Sequence, residues 1–189
     1  MQSEIKKRIT DIRASLIKMI PEKWESIILY ASVIEERKGE MFFYYYPKKL
    51  IKTNPINCYE IPDKFGLNEE VYSKGLKDLY DQIKALRAFA KPKWTNITIL
   101  YKDGYFTIEF HYNDLMHTRY TDDQRRIVWT HKYLNIPLES LDVKDQALIK
   151  SYKEETNLQP TILTLDEKEG DVLGNEKEQH RIKNQILKT

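Results

Sequence analysis

Residues 94–112 constrain the fold more than any other stretch. Trp94 to Tyr101 and Tyr105 to Tyr112 alternate apolar and polar side chains on either side of Lys102-Asp103-Gly104. An Asp-Gly pair between two alternating runs is a strong hairpin signal, because the turn needs left-handed backbone that Gly and Asp tolerate. Ile97, Ile99 and Tyr101 then share one face, opposite Thr98 and Leu100. A lone hairpin is marginal in water, so that face requires further strands and a cover.

Candidates for both lie nearby. Ile5, Ile9, Ile12, Leu16, Met19 and Ile20 recur at three- and four-residue steps, which predicts a helix over 3–20 with Ser3 as N-cap and Pro21 as its stop. A longer helix runs from an Asn68 cap to about Ala90, with Tyr72, Leu76, Leu79, Ile83 and Leu86 as its stripe; Gly75 weakens it slightly and Pro92 ends it. Trp24 to Ile34 and Met41 to Tyr46 predict a second hairpin about Arg37-Lys38-Gly39-Glu40, with Gly39 able to take positive φ. The unbroken Met41–Tyr46 run implies a strand covered on both faces or one that uses a face for contact. Ile56 to Ile61, between Pro55 and Pro62, reads as a short third strand. Thr121-Asp122-Asp123-Gln124 has the form of a capping box opening a helix over 122–135. The order α-β-β-β-α-β-β-α predicts the α+β class, with a mostly antiparallel sheet of about five strands packed with helices.

Two regions of different character follow. Residues 1–137 carry a net charge of +5 and form the expected domain, while 138–189 carry −3 and read as a charged C-terminal extension. Within it, 140–156 suits a helix carrying Leu141, Leu148 and Tyr152. From Asp166 onward there are 11 charged residues in 24 and no aromatic, which predicts a mobile segment or a marginal helix. Charges are interspersed, so the electrostatic footprint expected of a nucleic-acid binder is weak. Cys58 is the one cysteine, which rules out an internal disulfide and fits a reducing compartment. The N-terminal stretch has no signal-peptide h-region, and no apolar run approaches the roughly 20 residues a membrane span needs. The expectation is a cytoplasmic chain without membrane contact.

Signals of catalytic chemistry are sparse. The chain has no GxGxxG, GxxxxGK[ST], GxSxG or HExxH pattern. His111, His117 and His131 could converge on a metal, but three histidines over 21 positions with no dense acidic partner set read better as solvated or hydrogen-bonded groups. No catalytic residue, metal or cofactor is therefore expected. Glu109, Asp114, Asp122 and Asp123, with Tyr112, could form an acidic partner-binding patch at one end of the sheet, suited to a basic surface such as a nuclease's substrate groove. Individually, Asp122 and Asp123 are explained by the helix N-terminus. Tyr44-Tyr45-Tyr46-Pro47-Lys48-Lys49 would suit single-stranded nucleic acid, although a strand end with a solvated loop explains it more simply.

An ordered series of short motifs resembles one family. Met19-Ile20-Pro21-Glu22-Lys23-Trp24-Glu25 resembles its "MIPxxWE", and Gly39-Glu40-Met41-Phe42-Phe43-Tyr44-Tyr45 its "GxxxFxY". Ile61-Pro62-Asp63-Lys64-Phe65 is similar to "IPxxY", Leu79-Tyr80 with Leu86-Arg87 to "LY…LR", and Lys93-Trp94-Thr95-Asn96 to "PWTN". Phe110 to Leu115 resembles "FxYxDL", and Trp129, Lys132-Tyr133-Leu134 and Ile136-Pro137 match "W…KYLGIIP". Together they mark a resemblance, across 1–137, to the YezG/EsaG family of antitoxins. That resemblance implies an immunity protein that occludes a cognate secreted nuclease toxin, often one exported by a type VII system, inside the producing cell. The family often has acid where this chain has His111 and Asn113. A nucleic-acid-binding module without enzymatic activity is the alternative, and a small metal-dependent enzyme using the three histidines is the third.

Overall fold

Helix α1 (Gln2–Lys18) leads into β1 (Trp24–Ser32) and β2 (Met41–Pro47). A two-residue β3 (Ile56–Asn57) precedes the short α2 (Ile61–Phe65) and the long α3 (Glu69–Arg87). Then come β4 (Asn96–Lys102), β5 (Tyr105–His111), α4 (Asp122–Tyr133), α5 (Val143–Glu155), β6 (Thr161–Asp166) and a two-residue β7 (Val172–Leu173). This computed structural model describes residues 2–35, 37–51, 53–155, 159–166 and 172–173. The class is α+β, as expected. Among the described residues no helix is long and apolar enough to cross a membrane.

The strands form one antiparallel sheet in the order β3-β2-β1-β4-β5-β6-β7. Its register explains the core. Phe43 pairs with Leu29, Leu29 with Ile99, Ile99 with Ile108, and Ile108 with Leu163. The side-chain period of two places this row on one face, five strands wide, and every member is buried. A second row, Tyr45-Ile27-Tyr101-Phe106-Leu165, lies beside it and is also buried. The apolar stripes of α1 (Ile5, Ile9, Ile12, Leu16) and α3 (Tyr72, Leu79, Ile83, Leu86) are buried too. The two helices lie side by side, tied by Ser15 and Gln82 at 3.0–3.1 Å. Each such side chain removed from water contributes about 1.5–3 kcal/mol.

The β4–β5 turn has left-handed backbone at both centres, Asp103 (φ 54°) and Gly104 (φ 87°), as an Asp-Gly hairpin requires. Elsewhere the structure departs from the local sequence patterns. The third strand ends at Asn57, because the Asn57 side chain accepts from Tyr59 N and Glu60 reaches back to Asn57 N. That capping box turns the chain into a 3₁₀ turn and then α2, with Pro62 inside its first turn. Ser3 falls inside α1 rather than capping it. Gly39 does not adopt positive φ. It is needed for space: a Cβ there would collide with the Ser32 carbonyl and the Tyr80 hydroxyl, which donates to that carbonyl at 2.8 Å. Finally, the sheet gains β6 from residues 161–166, a stretch whose composition placed it in the extension. The expectation of mobility or a marginal helix lies, for residues 167–171 and 174–189, outside the described residues.

The chain divides into two compact units, Met1–Tyr112 with Pro160–Thr189, and Asn113–Gln159. The first holds the sheet with α1 to α3. The second is helical. There the predicted capping box is present: Gln124 N donates to Thr121 Oγ1 at 3.2 Å and Thr121 N to Gln124 Oε1 at 3.0 Å. Asn135 (φ 53°) takes the left-handed position just past α4.

Candidate functional site

The candidate acidic residues divide between the two units. In the sheet unit, Glu109 and His111 stand two residues apart on β5 and so share a face. Their side chains are largely buried, and His111 Nε2 approaches Glu109 Oε2 at 3.6 Å. Tyr112, just past the strand, is half-buried.

In the helical unit, Asp114 closes a small turn. Its carboxylate accepts from Met116 N (2.9 Å), His117 N (3.0 Å) and His117 Nδ1 (2.8 Å). The His117 ring, then the two backbone amides, hold its pKa below the ordinary carboxylate value, because each donor favours the charged form. Asp122 opens α4 and pairs with the buried guanidinium of Arg125, which also donates to the Tyr120 carbonyl. Asp123 is exposed and lines the mouth of an open cleft of about 570 Å³. The start of α4 (Thr121, Gln124, Ile127) forms one wall and α5 (Lys144, Asp145, Leu148) the other.

The walls are joined by a polar clamp. Arg119 donates to the Tyr120 hydroxyl at 3.1 Å and to Ser151 Oγ, and the Tyr120 hydroxyl meets Ser151 Oγ at 3.2 Å. The Tyr120 and Tyr152 rings meet edge to face at 4.9 Å, and burial pushes the Tyr152 phenol up in pKa. Ser151 is therefore surrounded by an arginine and a phenol, groups that anchor a hydroxyl rather than remove its proton.

The three histidines have separate surroundings. His111 lies in the sheet unit beside Glu109, and His117 binds Asp114 in the helical unit. In that same unit His131 Nδ1 meets the Ile136 carbonyl at 2.7 Å and Nε2 meets Lys153 Nζ at 3.4 Å. Among the described residues no three His, Cys, Asp or Glu groups are placed to hold a metal ion. Cys58 is buried and accepts from Phe43 N at 3.5 Å, a packing position.

Arg119, Lys144 and Asp145 carry no signal in the sequence. Their role at the cleft depends on α5 meeting the start of α4, which no local pattern specifies. Asp122 with Arg125 is readable, since three residues along a helix bring two side chains together.

The family described as "Immunity protein YezG-like" matches residues 5–148. The chain belongs to the YezG-like immunity protein family. It is 29% identical over 132 residues to the immunity protein YezG of Bacillus spizizenii, covering 67% of this chain and 80% of that protein. To the immunity protein YezG of Bacillus subtilis it is 26% identical over 132 residues, covering 67% and 85%. The YezG-like match runs through β1 to β5, α4 and the cleft wall at Lys144, Asp145 and Leu148.

Proposed function

We propose that this chain neutralises a nuclease toxin by binding it and performs no reaction of its own. The match to the YezG-like immunity proteins across residues 5–148 carries this reading. The polar groups support it, because Glu109, Asp114, Asp122 and Ser151 each face a partner that fixes them in place. Where such groups reach the surface, as Asp114 does, fixed side chains lose little conformational freedom on association, which favours tight binding. The toxin in this proposal is a secreted nuclease, of the kind exported by type VII systems, and the chain meets it in the cytoplasm of the producing cell. Of Glu109, Tyr112, Asp114, Asp122 and Asp123, the exposed Asp123 is the foremost contact for a basic group lining the toxin's substrate groove.

The test is direct. The toxin encoded beside this gene is expressed with and without the chain, and its purified nuclease domain is assayed on plasmid DNA. Growth should be rescued, and DNA cleavage should stop near one equivalent of added chain. Undiminished cleavage at tenfold excess, or cleavage by the chain alone, would refute the proposal.

A further inference from the structure

Leu50 and Ile51 are out of keeping with the rest of the sheet unit. They follow one another in the loop after β2, and their relative exposures are 107% and 80%. Scattered single exposed apolar residues are ordinary. Two adjacent ones, both almost wholly in water, leave unrealised the stabilisation that burial of each would provide.

The loop is held at its stem. Pro47 is buried and pairs with Trp24 across the β1–β2 ladder, and Lys48 N donates to the Lys23 carbonyl at 2.9 Å. The apolar pair therefore follows closely on a hydrogen-bonded stem at the end of the sheet. That end carries both signs, with Glu25 and Asp103 exposed there, but the charges next to the pair are positive. Lys48 and Lys49 adjoin the pair in sequence, and both are exposed. Exposed Lys23 precedes β1, and exposed Lys102 ends β4, where it pairs with Ser26 across the ladder and reaches Glu25 at 4.0 Å. An apolar tip with lysines around it complements a recess that is apolar at its base and carboxylate-lined at its rim.

We infer that Lys48–Ile51 is a docking peg for the toxin: Leu50 and Ile51 enter an apolar recess on the toxin surface, and Lys48 and Lys49 meet carboxylates at its edge. This rests on the proposed function and adds a second contact of opposite sign to Asp123. The toxin must then offer a basic group to the helical unit and an acidic, apolar patch to the sheet end.

Near-full exposure makes the test clean, since Leu50→Ser with Ile51→Ser removes little packing. Binding of the full chain to the purified nuclease domain of the adjacent toxin is followed by surface-immobilised kinetics, and melting temperature is recorded in parallel. The double serine variant should melt with wild type and bind at least about tenfold more weakly, mainly through faster dissociation. Lys48→Glu with Lys49→Glu should slow association about tenfold at low salt and weaken its salt dependence. Wild-type affinity in the double serine variant would overturn the inference while leaving the functional reading intact. The inference also falls if the variant loses only binding to phosphatidylglycerol vesicles, which would make the loop a lipid contact. If the unaltered chain fails to bind the toxin domain, the proposed function falls first and this inference with it.

Discussion

Both units bury apolar side chains, but the helical unit adds a buried charged clamp. In the sheet unit, two rows of apolar side chains run across five strands, and their members are buried almost completely. In the helical unit, buried Arg125 ties Asp122 to the Tyr120 carbonyl, while Arg119, Tyr120 and Ser151 join α5 to the start of α4. Apolar packing is non-directional and tolerates exchange at constant volume, whereas a charged clamp requires every member. The core of the sheet unit thus serves as a frame, while the helical unit keeps polar groups in fixed directions.

The sharpest way to break the contrast is to open the frame. Phe43 is fully buried in the central row opposite Leu29. Phe43→Ala should cost about 3–5 kcal/mol, from lost transfer energy and the cavity left behind. Denaturant unfolding of both proteins checks this, and a cost below about 1 kcal/mol would mean the row is not a packed core. Phe43→Leu, which keeps most of the volume, should recover most of the loss.

The clamp should behave oppositely. Arg125→Met keeps length and apolar bulk but leaves the Tyr120 carbonyl without its guanidinium donor and Asp122 without its ion pair. The expected cost is about 1–3 kcal/mol, and it should be local. Amide hydrogen exchange should quicken across α4 and leave the β1 and β4 amides unchanged. Equal acceleration in both units would show that they open together and remove the distinction.

The same contrast decides what can be read from sequence. The β4–β5 hairpin is legible because a period of two and an Asp-Gly turn are local signals. The stripes of α1 and α3 are legible for the same reason. The third strand reads too long because its end is set by the Asn57–Glu60 capping box, which competes with extended backbone over three residues. β6 escapes the sequence reading although Thr161-Ile162-Leu163-Thr164-Leu165 alternates. Its partner is far off in the chain, with Thr107 and Thr164, 57 residues apart, touching at 3.0 Å. Of the candidate site, the Asp122–Arg125 pair follows the three-residue spacing of a helix, whereas the Asp114–His117 contact depends on a turn that the sequence reading does not identify. The Tyr120–Ser151 clamp depends on how α5 packs, which no local sequence pattern specifies. At Gly39 the sequence points to a residue that matters but not to why: the limit is room beside Tyr80, which no turn rule anticipates.

The gentlest probe of the comparison is protonation at Asp114. The His117 ring and the amides of His117 and Met116 all donate to this exposed carboxylate, so its folded pKa lies below the ordinary 3.8. A depressed carboxylate pKa stabilises the fold at pH above the unfolded value, and that stability is lost as pH falls through the folded value. The window therefore lies below about pH 4, where the contact is lost as Asp114 takes up its proton. The carboxyl-carbon resonance of Asp114 should titrate with a midpoint below 3.8. His117→Ala should raise that midpoint only part of the way, because the Met116 and residue-117 amides still donate. Sheet-unit amide shifts should not follow the same titration. A wild-type midpoint at or above 3.8 would mean that the turn is open in solution, and that this part of the helical unit lacks the fixed polar geometry which sets it apart from the frame.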